Sequence, residues 1–162
     1  MPVVPNGTVL YKFDNVTKRY SVNRFHRQRW SNPAQTLNPG EGAMIFNPSR
    51  RAFEVEFTGY WVFGLSVEIP AGVSLISYPG IIFEPLPDSS PVILPCWAIS
   101  RRFNPQDDDI VYTFDSARGR FKAHRYHAES GWDNVPVVAA TESFFVFTKH
   151  PRTIVDLGLW PD

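Results

Sequence analysis

The sequence predicts an all-β fold, a sandwich or closed barrel made of two pseudo-symmetric repeat units around a shared core. Three observations predict it. Fifteen prolines and ten glycines are spread through 162 residues and leave no long apolar stripe of helical period. Short runs such as TVLYKF and FFVFT are rich in β-branched and aromatic residues, which suit a pleated surface. The chain also repeats itself. VLYKFDNVTKRYSVNRFH lies over IVYTFDSARGRFKAHRYH with every match 101 positions apart: Tyr11 on Tyr112, Phe13 on Phe114, Asp14 on Asp115, Arg24 on Arg125, His26 on His127. One inserted residue later Trp30 meets Trp132, and the first offset then returns with Glu41 on Glu142 and Phe46 on Phe147. Residues 1–162 therefore read as a single all-β domain, with internal repeats 8–59 and 109–159 joined by a single-copy segment, 60–108.

The elements follow in order. TVLYKF and DIVYTF open the two copies as strands. Asp14 and Asp115 start the polar turns that follow, where a short carboxylate accepts backbone N–H groups two residues on. Tyr20–His26 and Phe121–His127 return as second strands. NPGEG introduces the strand AMIFN, whose counterpart is FFVFT. AFEVEFTG, with Phe53, Val55 and Phe57 on one face and Glu54 and Glu56 on the other, is a fourth strand with TIVDLG as its counterpart. In the connecting segment LSVEIPAGVSLISYPG gives two short strands about the Pro70–Gly72 turn. IIFEPLPDSSPVILP is mostly irregular, and CWAISRRF supplies one more strand. Only the second copy is preceded by this segment. The first lacks that lead-in, and an open strand edge there invites a homodimer.

Composition narrows the function classes. The chain is 43% apolar and 15% aromatic, enough to bury a core. Basic and acidic residues balance at 16 each, so no global field steers it toward nucleic acid or membrane, and recognition rests on local clusters. Cys96 is the only cysteine, which excludes an intrachain disulfide and a Cys-rich zinc site; between Pro95 and Trp97 it reads as a small buried hydrophobe. MPVVPNGTVLYKF lacks the pattern of a signal peptide, and no apolar stretch approaches membrane-spanning length. Nucleophile-elbow, zinc-protease and phosphate-loop motifs are absent.

IPAGVSLISYP, then DDDIVYTFD, then GW, then the strand ESFFVF run through the second half, and NPGEGAMIFNPS closes toward VEFTG in the first. This order resembles a small repeated all-β unit of secreted and surface proteins from environmental bacteria, with an aGwnLisyP strand pair, a wD turn, a Trp and a GeGffv strand. The second half departs from the pattern, because AATESFFVF lacks the two glycines. The resemblance covers most of residues 8–159. It implies an all-β fold and an exported or surface location, and its motifs carry no catalytic residue.

Two stretches carry the candidate chemistry. Residues 18–29 hold Lys18, Arg19, Arg24, Arg27 and Arg29 without an acid, and residues 118–127 hold Arg118, Arg120, Lys122 and Arg125 likewise. Basic heads among aromatic rings suit a glycan or anionic polymer, bound through Arg24, His26, Trp30 and their counterparts Arg125, His127, Trp132. A half-exposed sheet with aromatics inward and basic stems along its edges produces the same pattern. Strand parity puts Arg24 and His26 on the Tyr20 face, an expectation of partial burial, and Trp30 and Trp132 also fit as core corks. The alternative is a small hydrolase of an ester, lactone or glycosidic bond, with His26 or His127 as general base and Asp115 nearby, with or without a divalent metal. Asp107, Asp108 and Asp109 are the oxygen-rich cluster to which calcium would go, although the spacing of a calcium loop is missing.

Overall fold

The computed structural model describes residues 2–49, 51–55, 66–77, 93–94, 103–139 and 142–155. The described chain is all-β. One antiparallel sheet holds β1 (Val9–Asp14), β2 (Arg19–His26), β3 (Arg29–Trp30) and β4 (Ala43–Phe46), in the order β3-β2-β1-β4. A second is built from β6 (Gly72–Ser77), β8 (Ile110–Asp115), β9 (Arg120–His127), β10 (Gly131–Trp132) and β12 (Ser143–Thr148), in the order β10-β9-β8-β12-β6. Two ribbons pair β5 (Ser66–Ile69) with β13 (Arg152–Val155) and β7 (Ile93–Leu94) with β11 (Val138–Ala139). Both sheets run from one edge strand to another. The closed barrel expected as one form is not made by the described strands, because nothing among them pairs the two ends of either sheet.

Registers correspond between the sheets. β1 and β2 pair from Val9↔Arg24 to Asp14↔Arg19, and β8 and β9 from Ile110↔Arg125 to Asp115↔Arg120. Against their third strands the partners are Val9↔Phe46 and Ile110↔Phe147. The hairpin turns are made by the same chemistry: Asp14 Oδ1 accepts the N–H groups of Val16 (2.8 Å) and Thr17 (2.9 Å), and Asp115 Oδ1 that of Arg118 (3.0 Å). The single inserted residue lies between β9 and β10. Arg27 and Gln28 form a two-residue left-handed turn between β2 and β3, whereas Ala128–Ser130 and a left-handed Gly131 make the longer link.

Among the described residues the buried hydrophobic side chains form two clusters. Val4, Leu10, Phe25 and Trp30 form one buried cluster, with Ala43, Phe53 and Val55 packed on it. Ile69, Ile76, Phe103, Val111, Val138, Phe144, Val146 and Ile154 form the other, with Trp132 against it.

The sheets meet at β6. Phe13 packs edge-on to Phe145, ring centres 5.8 Å apart, Glu41 bridges to Ile76, and Gly42 N–H donates to Leu75 O (3.3 Å). A Cβ on Gly42 would lie 2.9 Å from the Leu75 and Ile76 backbone, so only glycine allows this approach. The expected fourth strand of the first half is not formed over 52–55, and 56–59 lie outside the described residues. β13, its expected counterpart, takes β5 as partner, while Phe53 and Val55 reach the core without a ladder. Most of CWAISRRF, including Cys96 and Trp97, lies outside the described residues, as do Trp61 and Trp160.

Candidate binding surface

The β2–β3 hairpin of the first sheet presents the basic stretch. Tyr20, Val22, Arg24 and His26 alternate onto one face of β2, and Arg29, paired across from His26, joins them. Tyr20 and Val22 are 46% and 44% exposed, and Phe46, in the row of Arg24 and Val9, is 54% exposed. Arg24 and His26 are exposed too, which corrects the expectation that parity with Tyr20 would bury them: no described element covers β2 on this side. Arg19, Arg24, Arg27 and Arg29 make no ion pair among the described residues. The strip from Tyr20 to His26 is about 20 Å long at strand rise.

In the second sheet the cation at the place of Arg24 is held. Arg125 Nη1 meets Asp108 Oδ1 at 2.9 Å, and Lys149 Nζ meets the other oxygen at 2.6 Å. Lys149 first, then Arg125, keeps the Asp108 carboxyl below its ordinary range and so ionised. Asp108 stands in a left-handed conformation (φ 67°), and the matching position 7 of the first half is a glycine at φ 88°. With glycine there, Arg24 has no matching carboxylate and makes no ion pair among the described residues. Arg118 folds back onto Asp115 Oδ2 at 2.7 Å, lowering that carboxyl likewise.

Beneath each hairpin lies a buried polar residue that sequence reasoning missed. Asn23 accepts Ser31 Oγ (2.9 Å) and the Asn32 N–H (2.9 Å) and donates to Asn32 O (2.7 Å). At the matching position His124 Nδ1 meets Asn134 O at 2.6 Å, and Nε2 meets Thr113 Oγ1 at 3.0 Å. A carbonyl only accepts, so Nδ1 carries the proton and Nε2 accepts the threonine hydroxyl. Burial is the main cause that lowers the His124 pKa below 6.5. Inward parity of an Asn and a His 101 apart was the available signal.

Trp30 is 6% exposed, packs edge-on to Phe25 and donates Nε1–H to Pro2 O (2.7 Å). Its ring is interior and offers no platform. Trp132 is half-buried against Tyr126, ring centres 5.3 Å apart. His26 is exposed and His127 half-buried; neither hydrogen-bonds a carboxylate among the described residues, and Asp115 is engaged by its own turn.

The three adjacent aspartates diverge. Asp107 accepts Ala128 N–H (3.0 Å), Asp108 takes the two cations, and buried Asp109 accepts Gln106 N–H (2.6 Å) and pairs with Arg152 at 2.7 Å. No group of three or more His, Cys, Asp or Glu suited to a metal occurs among the described residues. An open cleft of about 640 Å³ beside β1 is lined by Lys12, Asp14, Gln35, Glu41 and Glu68. Lys12 is neutralised there by Glu41, so the cleft does not suit an anion. No helix of the described residues is long and apolar enough to cross a membrane. No family model, curated protein or solved structure matches this chain.

Proposed function

We propose that this protein is a non-catalytic binding module that holds an anionic polymer, an acidic glycan first among the candidates, on the β2–β3 hairpin of its first half. One observation carries the reading: Arg24, Arg27 and Arg29 stand exposed and without an ion pair among the described residues, beside His26, Tyr20 and Phe46, while Arg125, the counterpart of Arg24, is neutralised within the protein. Guanidinium groups grip sulfate or carboxylate in pairs of hydrogen bonds, and the rings supply faces for sugar. With zero net charge, attraction is local and screened beyond about 10 Å at 0.1 M salt.

The finer fold reading belongs to the same proposal. The two sheets are copies of one unit, arranged as a sandwich; their shared registers and the matching turn carboxylates support it. The resemblance to units of secreted and surface proteins adds an extracellular setting. Calcium at Asp107–Asp109 and hydrolysis at His26 or His127 gain no support from the partners these side chains have.

Retention on immobilised heparin at low salt tests the binding reading. The wild-type chain is expected to elute at higher salt than the Arg24→Ala/Arg29→Ala double variant, with Arg125→Ala unchanged. Equal elution of all three overturns it, and stronger binding to a single-stranded oligonucleotide than to heparin transfers the site to nucleic acid.

A further inference from the structure

We propose that a ring-lined face running across both sheets, on the side away from the two buried clusters, is the contact surface for a second copy of this chain. Six rings touch in succession: Tyr11, Tyr20, Phe13, Phe145, Phe121 and Phe114, with neighbouring centres 4.9 to 6.2 Å apart. The contact of Phe13 with Phe145 carries the row from the first sheet to the second. Three of the rings lie open to solvent, Tyr20 at 46%, Phe114 at 51% and Phe121 at 44%. Large apolar side chains exposed in one patch mark a contact surface.

Ladder alternation turns the hairpin charges away from this row. Tyr20 pairs with Phe13 and Val22 with Tyr11, while Phe121 pairs with Phe114 and Phe145 with Tyr112. Arg19, Arg120 and Lys122, paired across from Asp14, Asp115 and Thr113, alternate onto the opposite side. On the ring side Arg24 and Arg125 follow Tyr20 and Phe121 only at the fourth residue along, about 13 Å away at strand rise. Two copies therefore meet ring to ring without opposing like charges.

Area and ring geometry select the second copy as occupant. About half of three aromatic side chains, with the exposed parts of Val22, Tyr11, Tyr112 and Phe145, makes an apolar patch of roughly 500 Å². A standard interface takes about 800 Å² from each partner, of which about 60% is apolar, so the patch supplies that share. Adjacent ring planes cross at 56° to 86°, which leaves no run of parallel faces on which successive sugars or bases would stack. An anionic membrane would call for cations among the rings, and the hairpin cations are on the other side. The inference uses the rings and not the arginines of the ligand reading, so heparin retention by a chain that stays monomeric would overturn this proposal alone.

The test is sedimentation equilibrium of the whole chain over a wide range of protein concentration, paired with hydroxyl-radical footprinting. The mass is expected to rise from 18.5 kDa toward twice that value, with Tyr20, Phe114 and Phe121 losing reactivity as it does. Phe121→Glu, which buries a charge in the contact, should raise the dissociation constant at least about tenfold, and Phe114→Ser should raise it less. The wild-type footprint decides the matter even where a variant folds poorly. A mass fixed at 18.5 kDa at every concentration overturns the proposal, and protection of the three rings by phosphatidylserine vesicles would then give the face to a membrane. A dimer that leaves the three rings reactive, or that forms equally well in both folded variants, overturns it too and means association through another surface.

Discussion

Arg24 and Arg125 occupy one place in two hairpins of one register, yet the first makes no ion pair among the described residues and the second is tied to Asp108. Three neighbouring positions differ with them. Gly7 stands for Asp108, Thr8 for the buried Asp109, and Asn23 for the buried His124. In the first half the buried polar groups are neutral hydrogen-bonding residues, and the cations face outward. In the second, Asp108 and Asp109 hold Arg125, Lys149 and Arg152, so charge is consumed in holding the fold. A ladder fixes where side chains point, and the residues at its margin decide whether they serve stability or recognition.

The sharpest way to break this contrast is Asp109→Ala. It leaves Arg152, whose side chain is only 11% exposed, without its carboxylate, and should cost about 3–5 kcal/mol in urea denaturation. Thr8→Val, at the matching position, removes one neutral hydrogen bond and should cost about 1 kcal/mol. Equal losses would mean that the halves bear load alike. Next comes Gly42→Ser, which copies Ser143 from the second half. Its Cβ meets the backbone of β6, and a destabilisation of about 1–3 kcal/mol is expected, whereas Ser143→Gly should cost about 1 kcal/mol at most.

A pH series sharpens the comparison further. Burial disfavours charged His124, so its folded pKa is depressed and the unfolded chain binds more protons as pH falls below 6.5. Stability contributed by this site is therefore full above pH 6.5 and lost as pH falls through the folded value. His124→Asn should flatten that slope, and Asn23→His should add one. The smallest effect is expected from Arg118→Ala, an exposed partner of a turn aspartate, which should leave the denaturation midpoint within error. Asp14 holds its own turn through the backbone N–H groups of Val16 and Thr17.

Strands, turns and the 101-residue correspondence of letters were legible because β-branched and aromatic runs, Asp-led turns and glycines leave local marks. The grouping of the described buried residues into two clusters was not, since apolar residues on one strand do not say which partner covers them. Arg24, His26 and Arg29 were legible as chemistry, but their exposure depends on what crosses β2, which lies far away in sequence. Asp108 looked like a calcium ligand or solvated turn. Its role as the clamp on Arg125 and Lys149 appears only when positions 108, 125 and 149 converge. AFEVEFTG reads as a strand from alternation alone, yet a strand also needs a neighbour, and 52–55 pair with no described strand.

Asn15, in the first hairpin turn, donates to Leu75 O at 3.1 Å and accepts Leu75 N–H at 2.7 Å. One amide side chain thus stands in for the next strand on the border of β6, and Lys18 Nζ adds a bond to Val73 O at 2.8 Å. A fragment beginning after residue 60 would leave those peptide groups bare, a sticky seam prone to clumping. Cutting the gene between its halves should therefore yield an insoluble product from the larger piece, and the intact chain should melt as one object.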